Sequence, residues 1–223
     1  MNVALLAGLA TLALALGPWA DARADRSLTW HMAQHLSLTL VAAPLLVASA
    51  LLRRLLAALP ARAARWLSRL AHAWSGSGAE VAFGGWLAWA IVLYGAHFSP
   101  LYEAALSDAR VHALEHALFL GAAFWFWTPV LAVAPAPRAL PYPARVLYVF
   151  TAMPLSAFLG LALYTSSHPL YAHYAGFAGA LEDQRLAGEL MWLCGGAALF
   201  VALLAVVAAW GRRERRVAQR ILR

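Results

Sequence analysis

Charge is scarce in this chain. Of its 223 residues, 12% are charged and 63% are hydrophobic. A soluble domain carries about a quarter charged residues and about half apolar ones, so the composition is that of an integral membrane protein. Cysteine is nearly absent as well. The single Cys194 excludes an intrachain disulfide framework, a C-x-x-C copper motif, a C-x-x-C-H haem attachment and a cysteine-based zinc finger. Lysine is missing altogether, since all 17 basic residues are arginine. A formal net charge of +7 would suggest nucleic acid for a soluble protein. Here the arginines sit between apolar runs, where positive-inside bias explains them, and no nucleic-acid motif occurs. The partner implied by composition is the lipid bilayer. There is no H-E-x-x-H for a membrane zinc protease and no glycine-rich phosphate loop.

What remains is six apolar runs: Met1–Pro18, His31–Leu52, Val81–Phe98, Val111–Val133, Val146–Thr165 and Leu186–Trp210. Each approaches or exceeds the roughly 17–25 residues that cross a hydrocarbon core. They lack the alternation of barrel strands, so the expected fold is all-α: a polytopic transmembrane helix bundle of about six spans. Pro44, Pro129 and Pro154 fall inside spans and are expected to kink them. Ala22-Arg23-Ala24 resembles a signal-peptidase site, but Met1-Asn2 carries no positive side chain, and the first run is read as a retained span.

Arginine placement sets the expected orientation. Five arginines lie in 53–80, two in 134–145 and six in 211–223, against four (Arg23, Arg26, Arg110 and Arg185) on the other side. The crowded side is the cytoplasmic one, which puts both termini inside. The expected organisation is one transmembrane domain over 1–210, an inner amphipathic loop over 53–80 and a basic cytoplasmic tail over 211–223. In that loop, Arg62, Arg65 and Arg69 follow helical spacing, with Trp66, Leu67 and Leu70 largely on another side. This reads as a short helix on the inner leaflet. Trp19, Trp30 and Trp210 suit interfacial anchoring.

The histidines are sided. His31 and His35 open the second run, His97 closes the third, and His112 and His116 open the fourth; His168 and His173 lie in the last outer loop and His72 alone lies inside. Residues i and i+4 share a helix face, so His31 and His35 form one pair. His112, Glu115 and His116 form a second set at i, i+3 and i+4. Ionisable groups in spans face the bundle interior and mark function. Both pairs open their spans from the outer side, so a four-nitrogen pocket is expected. Met32 and Met191 add thioethers in the same layer, and Asp183, Gln184 and Glu189 add polar groups. Imidazole suits copper, zinc, iron and nickel, and thioether shifts the balance toward Cu(I). Glu115 and Asp183 are the candidates to orient the ligating imidazoles. His97 is a further candidate ligand. His168 and His173 read as loop residues and Cys194 as a packing residue. A ferritin-like di-iron site needs Glu-x-x-His, the reverse of His-x-x-Glu here. A haem between histidines stays open.

These motifs resemble a known family. The stretches Leu14–Ala50, Tyr94–Val130 and Asp183–Trp192, with HMxQH, HxxEH and DQxxAG inside them, resemble the CtaG-like membrane family of cytochrome c oxidase assembly factors associated with caa-type oxidases. The family's polar signature falls on His31, Met32, Gln34, His35, His97, His112, Glu115, His116, Asp183 and Gln184. The resemblance implies a non-enzymatic, multi-pass protein of the bacterial plasma membrane that supplies copper to an oxidase subunit. Family members usually carry a longer N-terminal region with an additional span, and an apolar residue is more usual where Glu189 stands. A b-type haem redox protein and a metal transporter are the alternatives. A transporter needs ligands through the membrane's depth, and the inner half here offers little beyond Met153.

Overall fold

The computed structural model describes residues 2–74, 77–131 and 140–221, apart from the side chains of 67, 68 and 70–76. Leu67, Leu70, His72, Arg138 and Arg223 fall outside the described side chains. No strand occurs among the described residues.

Helix α1 (Val3–Ala15) starts where the Asn2 side chain accepts a hydrogen bond from Ala4 N. Thirteen residues rise about 20 Å, short of the roughly 30 Å of hydrocarbon. Gly17 and Pro18 break the run, because proline suits a helix start but not its middle. Helix α2 (Pro18–Ala24) leaves at 50° to α1. Among the described residues, five further helices are long and apolar enough to cross a membrane, and the α1–α2 pair is a sixth if it counts as one bent span. The expected all-α polytopic bundle is what the chain forms, with its first apolar run bent.

Helix α3 (Leu28–Ala48) is the central element, packed on α1, α2, α8 and α11. It widens into a π-helical turn at Ser37–Ala42, where Ala43 N–H bonds to Leu38 O five residues back. In that register the Thr39 carbonyl would take its bond from residue 44, which is a proline without an N–H. The indole Nε1 of Trp127 donates to Thr39 O instead, at 2.8 Å. Pro44 therefore shifts the hydrogen-bond register and leaves the helix continuous. Pro129 and Pro154 likewise lie inside continuous helices.

After α3 the chain turns through Ala50 in the left-handed region, φ 57°. Helices α4 (Leu51–Ala58) and α5 (Ala61–Trp74) follow, and α4 buries none of its residues. These occupy the stretch expected to be an amphipathic loop. Then come α6 (Gly78–His97), α7 (Pro100–Ser107), α8 (Ala109–Leu131), α9 (Tyr142–Thr165) and α10 (Ala172–Ala175). The last helix, α11 (Ala180–Ile221), carries a second π turn at Leu190–Gly195 and continues through most of the basic tail.

Helix α6 packs on α8, and α9 on α11. The second contact is backbone against backbone: a Cβ on Gly160 would meet Gly188 O at 2.6 Å, and one on Gly188 would meet Gly160 O at 2.5 Å. Small residues of this kind let membrane helices approach closely. Phe83, Ile91, Phe150, Phe158 and Val201 face outward. In water such a surface would be unfavourable; in lipid it is the ordinary covering of a bundle. At the arginine-rich end, Tyr142 stacks on Trp210 with Arg145 over its ring, an aromatic–cationic belt of interfacial type.

Candidate metal centre

The sequence places one histidine pair at the start of α3 and the other at the start of α8, and the fold brings these two starts together. Ring centroids are 5.1 Å apart for His31 and His112, 5.3 Å for His35 and His116, and 4.1 Å for His112 and His116. One nitrogen each from His31, His35 and His116 lie within 4.8 Å of one another. The same holds for ligand atoms of His31, His112 and Glu115. The four histidines thus form one cluster, called the pocket below.

Hydrogen bonding sets which nitrogens are free. Burial pushes the hydroxyls of Tyr102, Tyr171 and Tyr174 well above the ordinary tyrosine range, so all three keep their protons. Tyr174 donates that proton to Ala24 O at 2.6 Å. Its oxygen can then only accept from His31 Nδ1, 3.1 Å away. A neutral His31 therefore carries its proton on Nδ1 and turns a bare Nε2 lone pair into the pocket. Nε2 of His35 stands 3.0 Å from it and supplies the proton between them.

Glu115 completes the set. Its side chain is fully buried, and Oε2 lies 3.6 Å from His31 Nε2 and 3.7 Å from His35 Nε2. Among the described residues, neither carboxylate oxygen has a hydrogen-bond partner, and neither has His112 Nε2, His116 Nε2 or His35 Nδ1. Buried polar groups are normally satisfied, and a bare carboxylate out of water is strongly unfavourable. Polar atoms from α3 and α8 converge here, and the one hydrogen bond among them is that of His35 Nε2 to His31 Nε2. A bound cation is the partner that would satisfy them together, so the residues present fit a metal ion.

The remaining candidates divide. His97 and Met32 lie beside the pocket: His97 Nε2 is 3.4 Å from Met32 Sδ, and the His35 and His97 centroids are 6.3 Å apart. Asp183 lies elsewhere. Its carboxylate accepts from Ser27 Oγ at 2.8 Å and Leu28 N at 2.6 Å, so it caps α3 from α11. Gln184 accepts from Leu170 N at 2.6 Å and donates to Leu163 O and His168 O. Gln34 donates to Ala15 O and Asp21 Oδ1. These three residues hold helices and loops in place. His173 bonds to Asp25 O and His168 is exposed. His72 lies outside the described side chains.

Sequence reasoning missed the tyrosines. Tyr102 is fully buried, stacked between His31 at 5.0 Å and Tyr171 at 4.2 Å. It roofs the pocket from α7. Above His31 and His112 a cavity of about 310 Å³ opens, lined by Asp21, Asp25 and Asp108. These acidic walls give a cation an electrostatic approach.

The family described as cytochrome c oxidase caa3 assembly factor (Caa3_CtaG) matches residues 2–213. Uncharacterized protein Mb0105 of Mycobacterium bovis and uncharacterized protein MT0111 of Mycobacterium tuberculosis are each 28% identical over 231 residues, which is 98% of this chain and 35% of theirs. Uncharacterized protein ML1998 of Mycobacterium leprae is 27% identical over 85% of this chain and 31% of its own. The chain thus spans about a third of the length of these curated relatives. No solved structure matches it.

Proposed function

The chain belongs to the cytochrome c oxidase caa3 assembly factor family, and from that premise we propose that it holds copper in the pocket of His31, His35, His112, His116 and Glu115 and supplies it to an oxidase subunit. One observation carries this reading: four nitrogen and oxygen atoms of His112, Glu115 and His116 are buried without a partner around the bare Nε2 of His31. Imidazole nitrogen is a good copper donor. The Glu115 carboxylate offsets the ion's charge, which keeps the site tolerable away from water. Tyr174 holds His31 by its outer nitrogen, the usual way a ligating imidazole is oriented. The protein's part is to bind and release the ion; no bond of a substrate is made or broken.

The protein is read as multi-pass in the bacterial plasma membrane, with the histidine end outside and both termini in the cytoplasm. The arginine distribution supports this. The copper reading is favoured over a haem held between α3 and α8 by the close approach of their imidazoles, with ring centroids 5.1 Å apart for His31 and His112 and 5.3 Å for His35 and His116, and with the Glu115 carboxylate among them. It is favoured over transport because the candidate ligands gather at one end of α3, α6 and α8.

Metal analysis of the purified protein beside its absorption spectrum tests the reading. Copper at about one or two ions per chain without a Soret band is the expected result. A Soret band with no copper would overturn it. In cells, deleting the gene should lower oxidase activity in copper-limited medium and leave unrelated respiratory dehydrogenases unchanged.

A further inference from the structure

The geometry points to a second, softer cation site directly beneath the histidine pocket, formed by Met32 Sδ, His97 Nε2, Met191 Sδ and Nδ1 of His35, and taking a monovalent soft ion such as Cu(I). It deepens the copper reading and rests on it for its role, but its donor atoms are argued separately.

The first step is an encounter that hydrogen bonding cannot explain. His97 Nδ1 lies 2.7 Å from Leu93 O. A carbonyl only accepts, so that nitrogen carries the proton of a neutral ring. The opposite nitrogen, Nε2, is then a bare lone pair, 3.4 Å from the thioether sulfur of Met32. Sulfur there has no proton to give. Two electron-pair donors therefore face each other inside the protein, where a soft cation would bind both.

The second step is the space around them. A narrow cavity of about 20 Å³ is lined by Met32, His35, His97 and Met191, room for about one water-sized occupant. All four side chains are at least nine-tenths buried. His35 reaches it from above: its Nε2 is engaged with His31, and its Nδ1 is buried with no partner. The two π turns bracket this cavity. Thr39 and Leu40 come from the turn in α3, and Met191 from the turn in α11. Wide turns of this kind re-aim side chains and recur at functional sites. Ser156 donates to Met191 O, and Gly195 gives Ser156 room, since a Cβ there would meet its Oγ at 2.8 Å.

The third step is charge and softness. The four donors are neutral, so a monovalent ion is less unfavourable here than a divalent one. Two thioethers and two imidazoles favour Cu(I). The upper pocket, with Glu115, suits a harder or more highly charged ion. His35 belongs to both sites. A neutral imidazole has one bare nitrogen at a time, so the two sites compete for it, and an ion passing between them stays in contact with the same ring.

Silver(I) serves as a redox-inert probe of the lower site and cobalt(II) as a probe of the upper one, both with the full chain in lipid nanodiscs. X-ray absorption of the silver-loaded wild type should show sulfur in the coordination shell. Met32→Leu with Met191→Leu, which keeps volume, should remove that sulfur and weaken silver binding at least about 10-fold, the lower end of what a lost ligand partner costs. Cobalt binding should persist in that variant. His112→Ala with His116→Ala should do the reverse, losing cobalt and keeping the silver–sulfur shell. A silver shell of nitrogen and oxygen alone, or unchanged silver affinity in the methionine variant, overturns the lower site. Absence of cobalt binding in a wild type that still shows silver–sulfur coordination overturns the upper pocket and leaves the lower site standing.

Discussion

The pocket between α3 and α8 and the seam between α3 and α11 hold similar residues and treat them in opposite ways. In the seam, Asp183 accepts from Ser27 and Leu28, and its neighbour Gln184 uses both ends of its amide on α9 and the loop that follows. In the pocket, Glu115 is more deeply buried than Asp183 yet bonds to nothing. A saturated polar group holds structure together, because its desolvation is offset by its own partners. An unsaturated one stores unfavourable energy until something binds. The fold thus separates residues that position from residues left open to a ligand, although both kinds belong to the same three sequence motifs.

Substitution can break this contrast. The largest effect should follow loss of a pocket imidazole. His35→Ala and His116→Ala are each expected to weaken copper binding by at least the roughly 10–100-fold seen for outer partners, as read by competition with a chelator of known affinity. The protein should remain folded, since His116 Nε2 and His35 Nδ1 bond to nothing and His35→Ala removes only the Nε2 bond to His31. Asp183→Ala should do the opposite. Loss of a helix cap lowers stability by about 0.5–2 kcal/mol, seen as a lower thermal midpoint, with copper affinity of the folded protein close to wild type.

Glu115→Gln sharpens the contrast by sign. Removing an unpaired buried charge should raise the midpoint of the metal-free protein, while copper affinity falls. A drop in both would mean that Glu115 is paired after all. The smallest expected effect is kinetic. Asp108→Asn keeps the α8 cap on Arg110 N but removes one charge from the acidic cavity. Copper loading should slow several-fold at low salt and differ little at high salt, with equilibrium affinity nearly unchanged in stopped-flow and titration.

Much of this was legible from the sequence. Apolar run lengths carried the helical fold, and histidines at i and i+4 on two spans carried the pocket, because helix periodicity is local. What was hidden depended on distant neighbours. Asp183 sits beside Gln184 in the chain, but whether it meets a histidine or the first turn of α3 is settled by packing 155 residues away. The tyrosine roof was hidden for the same reason, as Tyr102, Tyr171 and Tyr174 lie on short helices outside any apolar run or beside them. Gly17-Pro18 and Pro44 signalled disturbance. The first bends the chain between α1 and α2, while the second is absorbed by a π turn whose free carbonyl waits for Trp127. The π turn at Leu190–Gly195 contains no proline and had no comparable signal.

The pocket's identity as a metal centre is tested most directly by thermal unfolding of the purified wild-type protein with and without copper. A ligand bound only by the folded state raises stability by RT ln(1 + [L]/Kd), about 2.7 kcal/mol at a hundredfold excess over Kd. Copper(II), which suits the histidine and carboxylate donors of the pocket rather than the thioethers beneath it, should raise the midpoint of wild type clearly and leave a variant lacking His31, His35, His112 and His116 where it was. An equal response from both proteins, or none from either, would contradict the assignment.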